Sequence, residues 1–205
     1  MGRSMETRRW LDRPYWIFDM DGTLTVPAHD FEGFKKTHGL APDRDLLSSI
    51  EALSEPRRSE VQAAVRRWEV QIVGEAASMP DAVALLDALV ARGAQLGILT
   101  RNSKPGAVST LQTAGLSTYF VDEEVVLGRF CAAPKPSPEG IHRILGRWGA
   151  RPQDAVMVGD WVYDVQAGRA AGTATVLINR HGPVPSEWGE FSDVVVDSLV
   201  ELIDG

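Results

Sequence analysis

Tyr15-Trp16-Ile17-Phe18-Asp19-Met20-Asp21-Gly22-Thr23-Leu24 is the stretch on which the fold turns. Four apolar residues run into two carboxylates one residue apart, and a glycine follows. A short apolar run closed in this way reads as a strand buried on both faces, residues 15–19. Carboxylates crowded at a strand end repel one another unless a cation or protons compensate. Gly22 lets the backbone turn sharply away from the strand. An acidic hairpin turn at Asp21-Gly22 would explain the same letters, so the rest of the chain has to decide.

The same strand-then-polar pattern returns further along the chain. Residues 96–100 (LGILT) form a second strand after a helix marked by Val83, Leu86, Leu89 and Val90, opened by Pro80 and closed by Gly93. A helix through Val108 and Leu111 ends at Gly115, with weaker strand signals at 119–121 and 125–127. Ser137 caps a helix carrying Ile141, Ile144, Leu145 and Trp148, closed by Gly149. A strand at 155–158, a helix at 162–171 and strands at 173–178 and 193–196 complete the series. This alternation predicts an α/β fold with a parallel sheet covered by helices on both faces. Ligands in such sheets bind beyond the carboxyl ends of the strands.

The rhythm breaks between the first strand and Pro80, where no strand signal occurs. Leu46, Leu47, Ile50 and Leu53 mark one helix, and Val61, Val65, Trp68 and Ile72 a second, with Ser54-Glu55-Pro56 between them. The expected organisation is an α/β core of residues 1–26 and 80–205 and a small α-helical cap, residues 27–79, inserted after the first strand.

At 205 residues with 44% hydrophobic side chains, the chain can build a substantial core. Its single cysteine, Cys131, excludes an intramolecular disulfide and suits a reducing, cytoplasmic setting. The opening MGRSMETRRWLDR is too polar for a signal peptide, and no apolar run approaches the ~18 residues of a spanning helix, so no membrane partner is expected. A net charge of −7 argues against non-specific nucleic-acid binding, which needs a basic surface. It leaves room for one small phosphorylated ligand, because a bound cation inverts the local field. A monomer or weak homodimer is expected.

A second acidic cluster, Gly159-Asp160-Trp161-Val162-Tyr163-Asp164, follows the 155–158 strand. Aspartates at a helix start also serve as caps and dipole partners. In a parallel sheet, however, Asp19, Asp21, Asp160 and Asp164 converge on one edge, and oxygen donors in that number suit a hard cation, magnesium above all. Thr100 ends the second strand and is followed by Arg101, Asn102 and Ser103, a hydroxyl and backbone N–H groups suited to phosphate oxygens. Lys135 lies between Pro134 and Pro136, a cation on a stiff segment.

Taken in order, DxDGT, a threonine at a strand end, Lys-Pro and GDxxxD resemble the haloacid dehalogenase superfamily of hydrolases, in its phosphoglycolate phosphatase and β-phosphoglucomutase-like branch with a helical cap. The resemblance runs from about residue 15 to 178 and implies a Rossmann-like, three-layer core with a parallel sheet and a small α-helical cap. It implies that Asp19 is a nucleophile forming an aspartyl-phosphate and that Asp21 is the acid and base. It further implies that Thr100, Arg101, Asn102 and Lys135 serve the phosphate, with Asn102 next to it or supporting it. Magnesium would be held by Asp19, the Asp21 carbonyl and Asp160, with Asp164 acting directly or through water. A magnesium-dependent phosphatase for a small phosphorylated metabolite is the expectation, and a sugar phosphomutase is the alternative. Asp21 argues against dehalogenation, which needs no acid, and Asp19 against a non-catalytic binding protein. Substrate-reading candidates in the cap are His29, Lys35, Arg44, Arg57, Arg58, Arg66 and Arg67, with Arg180 and His181 on the same sheet edge. Histidine near position 29 moves a proton in related mutases, which makes His29 the most interesting of these.

Overall fold

The computed structural model describes residues 12–27, 30–180 and 182–204. Six parallel strands form one sheet in the order β3-β2-β1-β4-β5-β6: β1 Tyr15–Phe18, β2 Gln95–Leu99, β3 Val126–Leu127, β4 Ala155–Gly159, β5 Ala174–Ile178 and β6 Val194–Val196. The chain lays β2 and β3 on one side of β1 and then returns to lay β4, β5 and β6 on the other. The carboxyl ends of β1 and β4, which are neighbours, therefore flank the point where strand order reverses, the position where open α/β sheets bind ligands.

Strand alternation splits the core into two layers. Trp16, Phe18, Leu96, Ile98, Val156 and Val158 face one side, packed by Leu85, Leu86 and Leu89 of α4 (Pro80–Ala91) and Leu111 of α5 (Lys104–Thr113). Ile17, Leu99 and Met157 face the other, against Ile141, Ile144 and Leu145 of α6 (Glu139–Trp148) and Ala167 and Ala171 of α7 (Val162–Ala171). Two short helices, α8 (Ser186–Gly189) and α9 (Glu201–Asp204), flank β6.

Between β1 and α4 lie three helices, α1 (Phe31–Thr37), α2 (Leu46–Glu51) and α3 (Arg57–Val73). They share a core of their own, Phe34, Leu40, Leu46, Ile50, Val61 and Val65, with Trp68 stacked on Phe34 at a centroid distance of 4.6 Å. The hairpin expected from the sequence is present as α2 and α3. The first of the three was not expected: it is two turns long and held by Asp30, whose carboxylate accepts from Gly33 N at 2.9 Å.

Two expectations need correction. Residues 119–121 are not a strand: Ser117–Tyr119 is a 3-10 turn, Phe120 turns into the core and Val121 is 84% exposed. Three apolar letters without an alternating neighbour could not settle that point. In α4 the buried face runs through Ala82, Leu85, Leu86 and Leu89, while Val90, at the edge of that stripe in the last turn before the helix ends at Ala91, is exposed.

Candidate active site

Each acidic cluster is placed by backbone pairing that continues past its strand. Asp19 N donates to Val158 O at 2.8 Å, so the residue after β1 is pinned to β4. The chain then folds back, with Leu24 N on Met20 O and Gly22 N on Thr25 O, both at 2.8 Å. Gly22 sits at φ +81°, and a Cβ there would lie 2.2 Å from Asp160 Oδ2. Only glycine lets the first motif and Asp160 approach so closely. Gly159 has the same role in the second motif, since a Cβ would stand 2.3 Å from Asp164.

Asp164, in the first turn of α7, accepts from Trp161 N through Oδ2 at 3.0 Å. The capping explanation of this aspartate is thus correct, but it accounts for one oxygen only. Asp164 Oδ1 and Asp19 Oδ1 each lie 2.5 Å from Lys135 Nζ, and all three side chains are nearly excluded from solvent. Thr23 Oγ1 reaches Asp160 Oδ1 at 3.5 Å. Asp21 sits beside this group, its Oδ2 accepting from Asn102 Nδ2 at 2.7 Å. Thr100 is pinned by its N–H on Leu127 O, and its hydroxyl accepts from Asn102 N at 3.1 Å.

The electrostatics show a charge deficit. Burial pushes the Asp19 carboxyl up to about 7; Lys135 pulls it down, while Asp164 and Asp21 add to the rise. Burial, then Asp19 and Asp164, push Asp160 up to about 8. Burial works against the Lys135 ammonium, but Asp164 and Asp19 outweigh it and hold the group above its ordinary value. Among the described residues, Asp19, Asp160 and Asp164 each offer an oxygen within 4.8 Å of the others. Three carboxylates facing one ammonium, all with oxygen donors, fit a small hard dication. Asp21 is outside that trio, and its carboxylate is instead engaged by Asn102.

Over these groups lies a cavity of about 390 Å³, roofed by α1, α2 and α3. Two ion pairs join roof to floor. Arg101 pairs with Asp45, the N-cap of α2, and lies over the Tyr163 ring at 5.3 Å; its Nε is buried without a hydrogen-bond partner. Arg129 Nη1 meets Glu69 Oε1 of α3 at 2.8 Å, and Ser103 Oγ donates to Glu69 Oε2 at 3.0 Å. Arg101, expected at the phosphate, thus has the cap as its partner here.

Of the cap cations expected to read substrate, Lys35 lines the cavity, with Nζ donating to the Pro42 and Arg44 carbonyls. Arg57 bonds Glu60 and the His38 carbonyl, Arg58 bonds the Leu53 and Glu51 carbonyls, and Arg44, Arg66 and Arg67 are exposed. Arg180 grips Asp81 with two nitrogens and lines a second cavity beside Trp161 and Trp188. His29 and His181 lie outside the described residues.

Sequence reasoning missed Asp45, Glu69 and Arg129. Glu69 had left a signal: Val61, Val65 and Glu69 are spaced by four, so a carboxylate occupies the buried phase of α3. Arg129 had none beyond following a strand.

A sheet of this order, a helical insert after β1 and this constellation at the switch point define a class of hydrolase. Residues 16–172 match the haloacid dehalogenase-like hydrolase family, and the chain belongs to that family. It is 31% identical to an uncharacterized hydrolase of Saccharomyces cerevisiae, over 92% of this chain and 88% of that one. It is 28% identical to the N-acetylmuramic acid 6-phosphate phosphatase of Pseudomonas aeruginosa, over 92% of both. Its fold superposes on a hydrolase from Pseudomonas syringae with a TM-score of 0.76 at 17% identity, over 93% of this chain and 96% of the other. No helix among the described residues is long and apolar enough to cross a membrane.

Proposed function

We propose that this enzyme hydrolyses the phosphate monoester of a small metabolite through an aspartyl-phosphate on Asp19. The observation that carries the reading is the buried Asp19–Lys135–Asp164 arrangement beneath the capped cavity. Phosphatase relatives, such as the one from Pseudomonas aeruginosa, support it.

Lys135 holds Asp19 Oδ1 and so leaves Oδ2 to attack phosphorus. The new O–P bond forms as the ester O–P bond breaks. Asp21, steered by Asn102, gives its proton to the departing alkoxide, and then takes one from the water that attacks the aspartyl-phosphate. That attack releases inorganic phosphate and restores the Asp19 carboxylate. Thr100 and Lys135 bind phosphoryl oxygens, Lys135 by charge and Thr100 by its hydroxyl. Asp19, Asp160 and Asp164, with the Asp21 carbonyl, would hold magnesium, which when bound neutralises charge on nucleophile and phosphate. The roof excludes bulk water while these bonds exchange.

The test is release of inorganic phosphate from a panel of sugar, nucleoside and carboxylic-acid phosphates, with magnesium and with a chelator. Magnesium-dependent release supports the reading. Isomerised sugar phosphate with little free phosphate would replace it by the mutase, and a rate unchanged by chelation would remove the metal.

A further inference from the structure

Beyond the catalytic carboxylates and Lys135, the cavity wall carries six charged side chains, and they balance. Lys35, Arg101 and Arg129 stand with Glu32, Asp45 and Glu69. The three cations are also engaged. Arg101 is paired with Asp45, both oxygens of Glu69 are taken by Arg129, and Lys35 Nζ is bound to two carbonyls. Asp45 is held ionised: burial opposes this, but the Ser48 hydroxyl and Arg101 outweigh it and keep the carboxyl below its ordinary value. The remaining roof is apolar. Phe31 and Trp68 meet edge to face at 5.6 Å, with Leu46, Leu47 and Val65 beside them and Tyr163 opposite under Arg101.

A second anionic group on the substrate would enter this wall beside Glu32, Asp45 and Glu69; both arginines are already paired there, and Lys35, whose Nζ is bound to two carbonyls, lies one turn from Glu32 on α1. An uncharged group with a flat or apolar face loses nothing on entry and covers Phe31 and Trp68. We infer that the leaving group this site selects is an uncharged alcohol bearing a ring or apolar face, and that carboxylated or doubly phosphorylated alcohols are rejected by Asp45 and Glu69. The inference rests on the phosphatase reading and names its substrate class. Asp45 and Glu69 act here as specificity residues through the arginines they neutralise.

The test compares benzyl phosphate with phosphoglycolate, both esters of primary alcohols, so that their demand for the Asp21 proton is similar. Wild-type kcat/KM should favour benzyl phosphate by about tenfold or more, the scale expected from excluding one unpaired charge. Asp45→Asn removes the competing charge yet keeps an oxygen to cap Leu47 N and Ser48 N, so α2 should stay folded. That variant should move the kcat/KM ratio toward phosphoglycolate by about tenfold, because Arg101 is then open to a carboxylate. Glu69→Gln tests the second pair in the same way, and Asp45→Asn keeps the question answerable if the buried change unfolds the protein. Equal or better use of phosphoglycolate by the wild type, or a ratio that Asp45→Asn leaves unmoved, overturns the inference while the phosphatase stands. Hydrolysis of neither ester would count against the phosphatase reading itself and take the inference with it.

Discussion

At the scale of single residues, a few short contacts divide the work at the sheet edge. Asn102 donates to Asp21, which lies outside the trio of metal-competent oxygens, so in the proposed mechanism it positions the acid. Asn102→Ala should lower kcat by about tenfold to a hundredfold on alkyl phosphates, within the range of general acid–base catalysis, and much less on aryl phosphates that need no proton. Equal loss on both would show that Asn102 serves the phosphate instead. Away from the site, Asp81 collects Arg180, Ser198 Oγ and Leu199 N, tying α4 to the segment before α9. Burial opposes ionisation of Asp81, but these donors outweigh it and hold the carboxyl below 3.8. A carboxyl lowered on folding stabilises above its unfolded value and loses that contribution as pH falls through its folded one. Asp81→Asn should therefore cost about 1–3 kcal/mol at neutral pH, as expected for a lost charge-assisted network, and the cost should shrink below pH ~4. Urea unfolding at pH 7 and pH 3 measures both terms.

At the scale of elements, the cap is tied to the core by Arg101–Asp45 and by Glu69 with Arg129 and Ser103. The second tie is the buried one. Glu69→Ala leaves Arg129 without its partner in a nearly closed setting and should destabilise by about 3–5 kcal/mol, whereas replacing both residues by apolar ones should recover much of that loss. Thermal unfolding of the single and double variants reads the difference. A double variant no better than the single one would mean that Arg129 finds other partners.

The elements also show what the sequence could carry. Strand ends were legible because apolar runs stop at Asp19, Thr100 and Asp160, and the parallel sheet then brings Asp19 and Asp160 together without further information. The pairing of Lys135 with Asp164 was not legible, since Asp164 reads as a helix cap or a metal ligand and nothing in the sequence joins it to Lys135. Helix α1 was missed because FEGFKKT has only two apolar letters, and its stability comes from Asp30 and from Trp68, which is over thirty residues away. Arg101 reads as a phosphate ligand by position, and only the folded cap reveals Asp45 beside it.

At the scale of the whole molecule, the central quantity is the charge left unbalanced at the β1/β4 switch point. With no dication bound, Asp19 and Asp160 keep their protons up to about 7 and 8 when folded, against an ordinary 3.8. A carboxyl raised on folding costs stability as pH climbs above its unfolded value, so the chelated protein should lose stability between pH ~4 and pH ~8. Magnesium should offset that loss, and its effect on Tm should be larger at pH 8 than at pH 6, where it competes with protons. A magnesium shift in Tm that is the same at both values would contradict this electrostatic account.

Covalent catalysis at this site turns on Asp19. Phosphate release by Asp19→Asn, measured beside the wild type on the best ester of the panel with circular dichroism to verify the fold, tests it most directly. The predicted result is a folded protein whose kcat is lower by about a thousandfold or more, the scale of losing a nucleophile. A folded Asp19→Asn protein that releases phosphate within a few-fold of the wild-type rate would contradict covalent catalysis at this site.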